Sequence, residues 1–388
     1  MTLTKNIKFK NFRLIKTQKK IRNLLKKLLN EDNQILKSLS KSYKDSYNKN
    51  TLSKLKKYSN IVLIGMGGSI LGAKSIYSFL NNKIKKNFIF IDSFDHSRLK
   101  SVINKKRLNL IISKSGNTLE TISNSNVLID KKIENFFVTE NKNNYLRLLA
   151  KKLKSDIIDH NNYIGGRYSV LSEVGMLPAE LMGFKVNKFR KFNELVKNKF
   201  FINSLISNVS DILSLSNNKK SNSVILNYDE KSSDLFYWYQ QLVAESLGKK
   251  SKGILPIISK MPQDNHSLMQ FYLDGKKDYF YTFFFTKENL SKQIKNQKLL
   301  ISHNYLKNKN LNDILYAQFI STQNVFKKKK IPFRSFVIEK RNEQTLGELF
   351  TFFILETILL GKALNINPYD QPSVELIKVD TKKKLTNH

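Results

Sequence analysis

The sequence predicts an α/β protein of two doubly wound units, each a mainly parallel sheet flanked by helices. Three observations predict it. Short, continuously apolar runs alternate with segments of helical periodicity, as expected of strands buried on both faces between crossover helices. The alternation pauses at the polar stretch Ser216–Asn222 and then resumes. A chain of 388 residues also exceeds one ordinary core, and 40% hydrophobic residues can fill two.

The elements follow in order. The first thirty residues contain no acid and set Leu14, Ile21, Leu25 and Leu28 at helical spacing. They are lysine-rich rather than arginine-rich and lack a signal-type apolar core, so they read as a basic helix packed on the domain. Residues 1–50 are thus expected to be an N-terminal helical segment. A first unit over 51–215 has strands at Ile61–Ile64, Phe88–Ile91, Leu108–Ile112 and Phe136–Val138. Its helices fall at Ile70–Leu80, Arg98–Ile103, Leu119–Ile129 and Tyr145–Leu153. A second unit over 216–388 has strands at Val224–Leu226, Ile254–Ile258, Tyr279–Phe285 and Phe333–Ile338. It adds helices at Leu235–Leu247 and Leu346–Leu364 and a short closing one from Val374. Two units of similar size point to a pseudo-duplicated architecture, although no clean repeat is visible.

The net charge of +37 suits nucleic acid, an anionic membrane surface or an anionic small substrate. Lysine is spread along the whole chain and arginine is scarce, whereas nucleic-acid modules cluster basic residues and favour arginine forks. A solvated basic surface is the expectation, with no nucleic-acid partner. There is no cysteine, which excludes disulfides, thiolate metal sites and thiol nucleophiles and is compatible with a reducing compartment. The five histidines, at 96, 160, 266, 303 and 388, show no metal-ligand spacing. The most apolar helical stretch, Thr351–Leu364, is interrupted by Glu356 and Lys362, so no membrane span is expected.

Two turns invite an anion. Ile61-Val-Leu-Ile-Gly65-Met-Gly67-Gly68-Ser69-Ile70-Leu-Gly72 runs from a buried strand through glycines into a helix. Glycines let backbone amides approach an anion at the helix start, although a plain tight turn gives the same pattern. Ile70 breaks the dinucleotide fingerprint, and Ala73 stands where a Walker loop needs lysine. The second turn, Ser113-Lys114-Ser115-Gly116-Asn117-Thr118, offers three hydroxyls at a strand carboxyl end. One helix cap at Asn117 or Thr118 accounts for one hydroxyl, not three.

These two turns together resemble the sugar isomerase (SIS) domain of phosphosugar enzymes. Further segments resemble the signatures of the glucose-6-phosphate isomerase family. They are Gly165-Gly-Arg-Tyr-Ser-Val-Leu-Ser-Glu-Val-Gly175; Trp238-Tyr-Gln-Gln-Leu-Val-Ala-Glu245-Ser with Gln263-Asp-Asn-His266-Ser; and Asn367-Pro-Tyr-Asp-Gln371-Pro-Ser-Val-Glu-Leu-Ile-Lys378. They occur in one order over residues 60–378. The resemblance implies two SIS-type sheets with the active site between them, usually at a dimer interface. It implies Glu245 as the base that moves a proton between C1 and C2, His266 and Lys378 for ring opening and closing, and Arg167 for the enediolate oxygen. Gly68, Ser69, Ser113, Lys114, Ser115 and Thr118 would then hold the phosphate, with Gln241 and Gln371 near the sugar. A hexose 6-phosphate substrate, a cytoplasmic homodimer, no cofactor and no metal complete the expectation.

The chemistry of the residues agrees. Aldose–ketose exchange needs a group that accepts and returns a carbon-bound proton, and a fixed cation lowers the barrier to a charged oxygen intermediate. Two positions depart from the family pattern: Ser373 replaces a smaller residue, and Leu247 stands where a polar one is usual. The Ser-Gly-Asn-Thr form of the phosphate turn also occurs in bifunctional phosphoglucose/phosphomannose isomerases, which leaves the C2 epimer open. The competing readings are a catalytically silent sugar-phosphate sensor and a nucleic-acid binder.

Overall fold

The computed structural model describes residues 2–14, 18–97, 99, 106–130, 132–288 and 291–386. Eleven strands lie among them: β1 (Thr2–Thr4), β2 (Ile7–Lys10), β3 (Asn60–Ile64), β4 (Asn87–Ile91), β5 (Arg107–Ile112), β6 (Glu134–Glu140), β7 (Asp156–His160), β8 (Asn222–Asn227), β9 (Leu255–Lys260), β10 (Tyr279–Thr286) and β11 (Phe333–Ile338). They form two sheets, in the orders β4-β3-β5-β6-β7 and β1-β2-β11-β10-β8-β9. All pairings of the first sheet are parallel, as are those among β8 to β11. The two-unit α/β expectation therefore describes the molecule, and the strands read from sequence fall within the observed ones except that Ile254 lies one residue before β9.

Numbered within its own unit, the first sheet has the order 2-1-3-4-5 and the parallel part of the second has 2-1-3-4. The pseudo-duplication is real at the level of topology. In such sheets the connections diverge between strands 1 and 3, opening a crevice at the strand carboxyl ends. In the first sheet that crevice lies between β3 and β5, where the two anion-type turns emerge.

Two sequence expectations need correction, and a third is not tested. The N-terminal segment opens not as a helix but as the β1–β2 hairpin, with β2 antiparallel to β11, so residues 2–10 extend the second sheet. Its alternation explains this: Ile7 and Phe9 are buried while Lys8 is exposed, a period of two. Helical spacing holds only over Lys19–Leu29, which buries Ile21, Leu25 and Leu28. The strand β7 was not expected, because Asp-Ile-Ile-Asp-His is short and charged, as an edge strand tends to be. The helix expected over Arg98–Ile103 lies outside the described residues, apart from Leu99.

One hydrophobic cluster runs from the inner face of the first sheet (Ile61, Leu63) to that of the second (Phe280, Phe336). Each sheet has a smaller cluster on its outer face. The Leu71–Leu80 helix, which follows β3, packs against the Ser233–Leu247 helix, which follows β8. Ser75 Oγ donates to Asp234 O at 2.8 Å across that seam. The Glu343–Ala363 helix is buried on nearly every side. Glu356, which interrupts its apolar run, is the buried counter-ion of Arg334 and accepts from Tyr239 OH at 2.7 Å. Tyr239 lies on the Ser233–Leu247 helix, so this network ties that helix to the second sheet. No helix among the described residues is long and apolar enough to cross a membrane.

Candidate active site

The β3 turn is shaped by what touches it. A Cβ on Gly68 would lie 2.1 Å from the Gly166 carbonyl carbon and 2.5 Å from the Arg167 amide nitrogen. Only glycine lets the two backbones meet, and the contact carries the Arg167 segment against the phosphate-type turn. Gly67, at φ +51°, faces Gln241. Ser69 closes the turn half-buried, with its amide bonded to Met66 O at 3.1 Å.

In the neighbouring β5 turn, Ser113 Oγ and Thr118 Oγ1 share a 2.9 Å hydrogen bond. Thr118 begins the Leu119–Leu128 helix but its hydroxyl makes no capping bond, so capping does not account for it. Three loop amides are spent on the protein itself, a partial correction to a cup of free amides: Ser113 to Val138 O, Gly116 to Ser113 O and Asn117 to Ser115 Oγ. Ser115 is exposed. Lys114 is half-buried, 3.5 Å from Glu140; burial lowers its pKa, and the carboxylate offsets part of the effect.

Gln241 and Glu245 stand one turn apart on the Ser233–Leu247 helix and so share a face. Gln241 Nε2 donates to Glu245 Oε2 at 2.9 Å, and Arg167 Nη1 donates to Glu245 Oε1 at 2.7 Å. Arg167, 2% exposed, uses every donor of its guanidinium. Nη1 also reaches Gln371 Oε1 at 3.0 Å, Nε reaches Ser246 Oγ at 2.8 Å, and Nη2 reaches Pro368 O and Asp370 O at 2.8 and 3.0 Å. Glu245 keeps a side-chain exposure of 21%. A fixed cation thus sits behind a carboxylate that solvent can reach. The Gln241 Oε1 is buried and has no hydrogen-bond partner among the described residues.

Sequence reasoning missed two supports of this cluster. Tyr168 OH bonds Ser246 Oγ at 2.8 Å and donates to Pro368 O at 3.0 Å. Lys249 Nζ donates to Asn367 O and to Asp370 O and Oδ1, each at 2.6 Å, pinning the loop that carries Gln371. Position was the only signal for either: Tyr168 follows Arg167 directly, and Lys249 comes one turn after Glu245.

The structure brings Arg167, Glu245, Gln241 and Gln371 together beside Gly68 and the Arg167 backbone. It does not bring His266 or Lys378 to them within one chain. His266 is exposed, just beyond β9 at the edge of its sheet. Lys378 lies on the Glu375–Thr386 helix, which buries none of its residues, and among the described residues it pairs with Glu375 alone, at 3.0 Å.

The equivalent crevice of the second sheet, about 560 Å³, is stoppered by the protein's own charges. Arg341 donates to Asp229 Oδ1 at 2.7 Å and to Glu288 Oε1 at 2.8 Å, and Lys231 reaches both Glu288 oxygens at 3.1 Å. Two carboxylates there disfavour a phosphate. A wider cleft of about 1100 Å³, lined by lysines, lies between residues 41–45, 180–191 and 340–344. Glu343, Glu194 and Glu180 pair with five of its lysines, which makes it an ion-pair network rather than an anion trap.

Fold and site together define a two-sheet, doubly wound protein with an anion-type turn at the first switch point and a carboxylate–guanidinium pair beside it. Residues 26–256 match the family model described as phosphoglucose isomerase. The chain is 34% identical over 379 residues to the glucose-6-phosphate isomerase of Methanocaldococcus jannaschii, covering 91% of this chain and 90% of that one. It is 31% identical over 350 residues to that of Campylobacter jejuni, covering 84% and 86%. Among solved structures, a hypothetical protein from Thermus thermophilus superimposes with a TM-score of 0.81 at 25% identity, covering 95% and 94%. A glucose-6-phosphate isomerase from Chlamydia trachomatis does so with 0.70 at 17%, covering 91% and 78%, a likeness of fold. The chain belongs to the phosphoglucose isomerase family.

Proposed function

We propose that this protein is an aldose–ketose isomerase that interconverts glucose 6-phosphate and fructose 6-phosphate through a cis-enediolate. The observation that carries the reading is the reachable Glu245 carboxylate held between Gln241 and the embedded Arg167. Glu245 takes the proton from C2 of the open-chain aldose; the C–H electrons form the C1–C2 double bond and charge moves to O1. Arg167 stabilises that oxygen. The proton returns to C1 while O2 becomes the carbonyl and its hydroxyl proton passes to O1. No electrons are gained or lost overall, so the reaction calls for no redox cofactor, and none is proposed, nor a metal.

The phosphate rests on Ser69, Ser113, Lys114, Ser115 and Thr118 with the Gly68 backbone. The unpartnered Gln241 Oε1 suits a sugar hydroxyl, and Gln371 lies on the other side of Arg167. Residues 51–215 and 216–388 are taken as the two SIS-type units. We take the working form to be a cytoplasmic homodimer in which a second copy completes the site with His266 and gives Lys378 a surface. In support, Leu376 and Ile377 on the terminal helix are 78% and 71% exposed. A helix of this length is marginal without a packed face.

The test is a coupled assay for fructose 6-phosphate formed by the purified chain. Product formation at a catalytic rate is expected. Binding of the sugar phosphate without product would overturn the isomerase and leave the sensor. Mannose 6-phosphate in a parallel assay reports the epimer.

A further inference from the structure

Arg167 sits in the middle of a segment closed at its base by a buried pair that the proposed reaction does not use. His160 ends β7, and Glu173 opens the Glu173–Leu181 helix. Between them run the Asn161–Gly165 loop and the Gly166–Leu171 turn of 3₁₀ helix that bears Arg167. His160 Nδ1 lies 2.6 Å from Glu173 Oε1, and both side chains are 1% exposed. His160 Nε2 lies 3.0 Å from Ile164 O. A carbonyl only accepts, so Nε2 carries a hydrogen. The Nδ1–carboxyl contact then needs a second proton between its atoms.

The neighbours decide where that proton belongs. Glu173 Oε1 also accepts from the Asn161 amide at 2.8 Å, and Oε2 accepts from Tyr43 OH at 2.9 Å. Two donors already converge on that carboxyl, which suits the acceptor-only anion and leaves the second proton to Nδ1. Burial alone pushes Glu173 up, but the hydrogen bond and charge of His160, with backbone amides, outweigh it and hold its pKa below the usual value. The other charged and titratable groups around the pair are Tyr43, Tyr47 and Asp45, with Arg190 stacked 5.0 Å from the Tyr43 ring. Arg190 is paired with Asp45 at 2.6 Å and donates to Leu171 O at 2.8 Å, fixing the far end of the Arg167 turn.

We propose that His160, as the imidazolium, and Glu173 are positioning residues for Arg167: their buried pair staples the two ends of the loop that presents the guanidinium to Glu245 and Gly166 to Gly68. The proposal rests on the role given to Arg167 above. Glu173→Gln removes the charge at nearly constant shape. One amide cannot accept from Nδ1–H, the Asn161 amide and Tyr43 OH together without leaving a donor unsatisfied.

The test has two readouts on the full-length protein. Nitrogen-15 NMR of histidine-labelled wild type is expected to show a hydrogen-bonded proton on each His160 ring nitrogen; a ring with one bare nitrogen would overturn the proposal, whether or not any variant folds. Glu173→Gln is expected to lower kcat about 10- to 100-fold, as for a reacting group displaced by an ångström, with a smaller change in KM. An unchanged kcat would also overturn it. Arg167→Ala is run in parallel. If it keeps wild-type kcat, the role of Arg167 falls while the protonation of the pair stands on its own measurement.

Discussion

The substitution that separates chemistry from binding most cleanly is Glu245→Gln, and the structure allows its side effects to be worked out. Glu245 Oε1 takes one bond from Arg167 and Oε2 takes one from Gln241 Nε2. In the variant, the amide oxygen keeps the Arg167 bond. The new amide nitrogen faces the Gln241 nitrogen, a donor–donor clash, but Gln241 can turn over. Its Oε1 has no partner to lose, so the flip restores the bond with the roles reversed. What disappears is the counter-charge of an Arg167 that is 2% exposed, a cost of about 1–3 kcal/mol, less than for a fully buried pair because solvent reaches the Glu245 side and Arg167 keeps its hydrogen bonds. The loss of a positioned base lowers kcat by at least about 10²- to 10⁴-fold. Steady-state turnover is measured with the coupled assay, stability by denaturant melts, and affinity by calorimetry with a non-isomerisable sugar phosphate. Turnover should collapse while affinity stays near wild type and stability falls by no more than the lost counter-charge costs. A variant that keeps wild-type turnover would refute Glu245 as the base. One that loses affinity as steeply as turnover would refute the separation of the carboxylate from the phosphate turn.

Three further outcomes are expected. Ser113→Ala with Thr118→Ala removes the paired hydroxyls and should raise KM about 10- to 100-fold, at about 1.5–3 kcal/mol for bonds to a charged group, leaving kcat nearly unchanged; an unchanged KM would remove these residues from the phosphate site. Burial lowers the Lys114 pKa, so its ammonium is lost as pH rises through a value below the usual lysine range. KM should therefore climb with alkaline pH in the wild type and less steeply in Lys114→Gln; parallel KM profiles for the two proteins would contradict a phosphate contact. Glu356→Gln leaves the fully buried Arg334 without its counter-charge and should cost about 3–5 kcal/mol in denaturant unfolding, whereas a change under about 1 kcal/mol would show the pair to be structurally idle.

The same residues show why parts of the site were legible and others were not. Glu245 and Gln241 could be placed on one face because four residues is one helical turn. The turns at Gly67–Ser69 and Ser113–Thr118 could be placed at strand ends because apolar runs stop there. Arg167 was legible as part of a motif, but not its five bonds, since Ser246, Gln371, Pro368 and Asp370 lie 79 to 204 residues away. Glu356 read as an interruption in an apolar helix because its partner Arg334 comes from another element. The β1–β2 hairpin was overlooked because the helical spacing that follows it is stronger than two short alternating strands.

By itself the sequence determined the alternation of strands and helices, the division into two similar units and the two anion-type turns, all set by local periodicity and by glycine and hydroxyl placement. Only the tertiary structure decided that the second switch point is stoppered by Asp229, Arg341 and Glu288. It alone decided that Arg167 meets Glu245, and that His160 is buried against Glu173 while His266 faces solvent. Those outcomes depend on which distant strands lie side by side, and sheet order is fixed by long-range packing that no local pattern encodes.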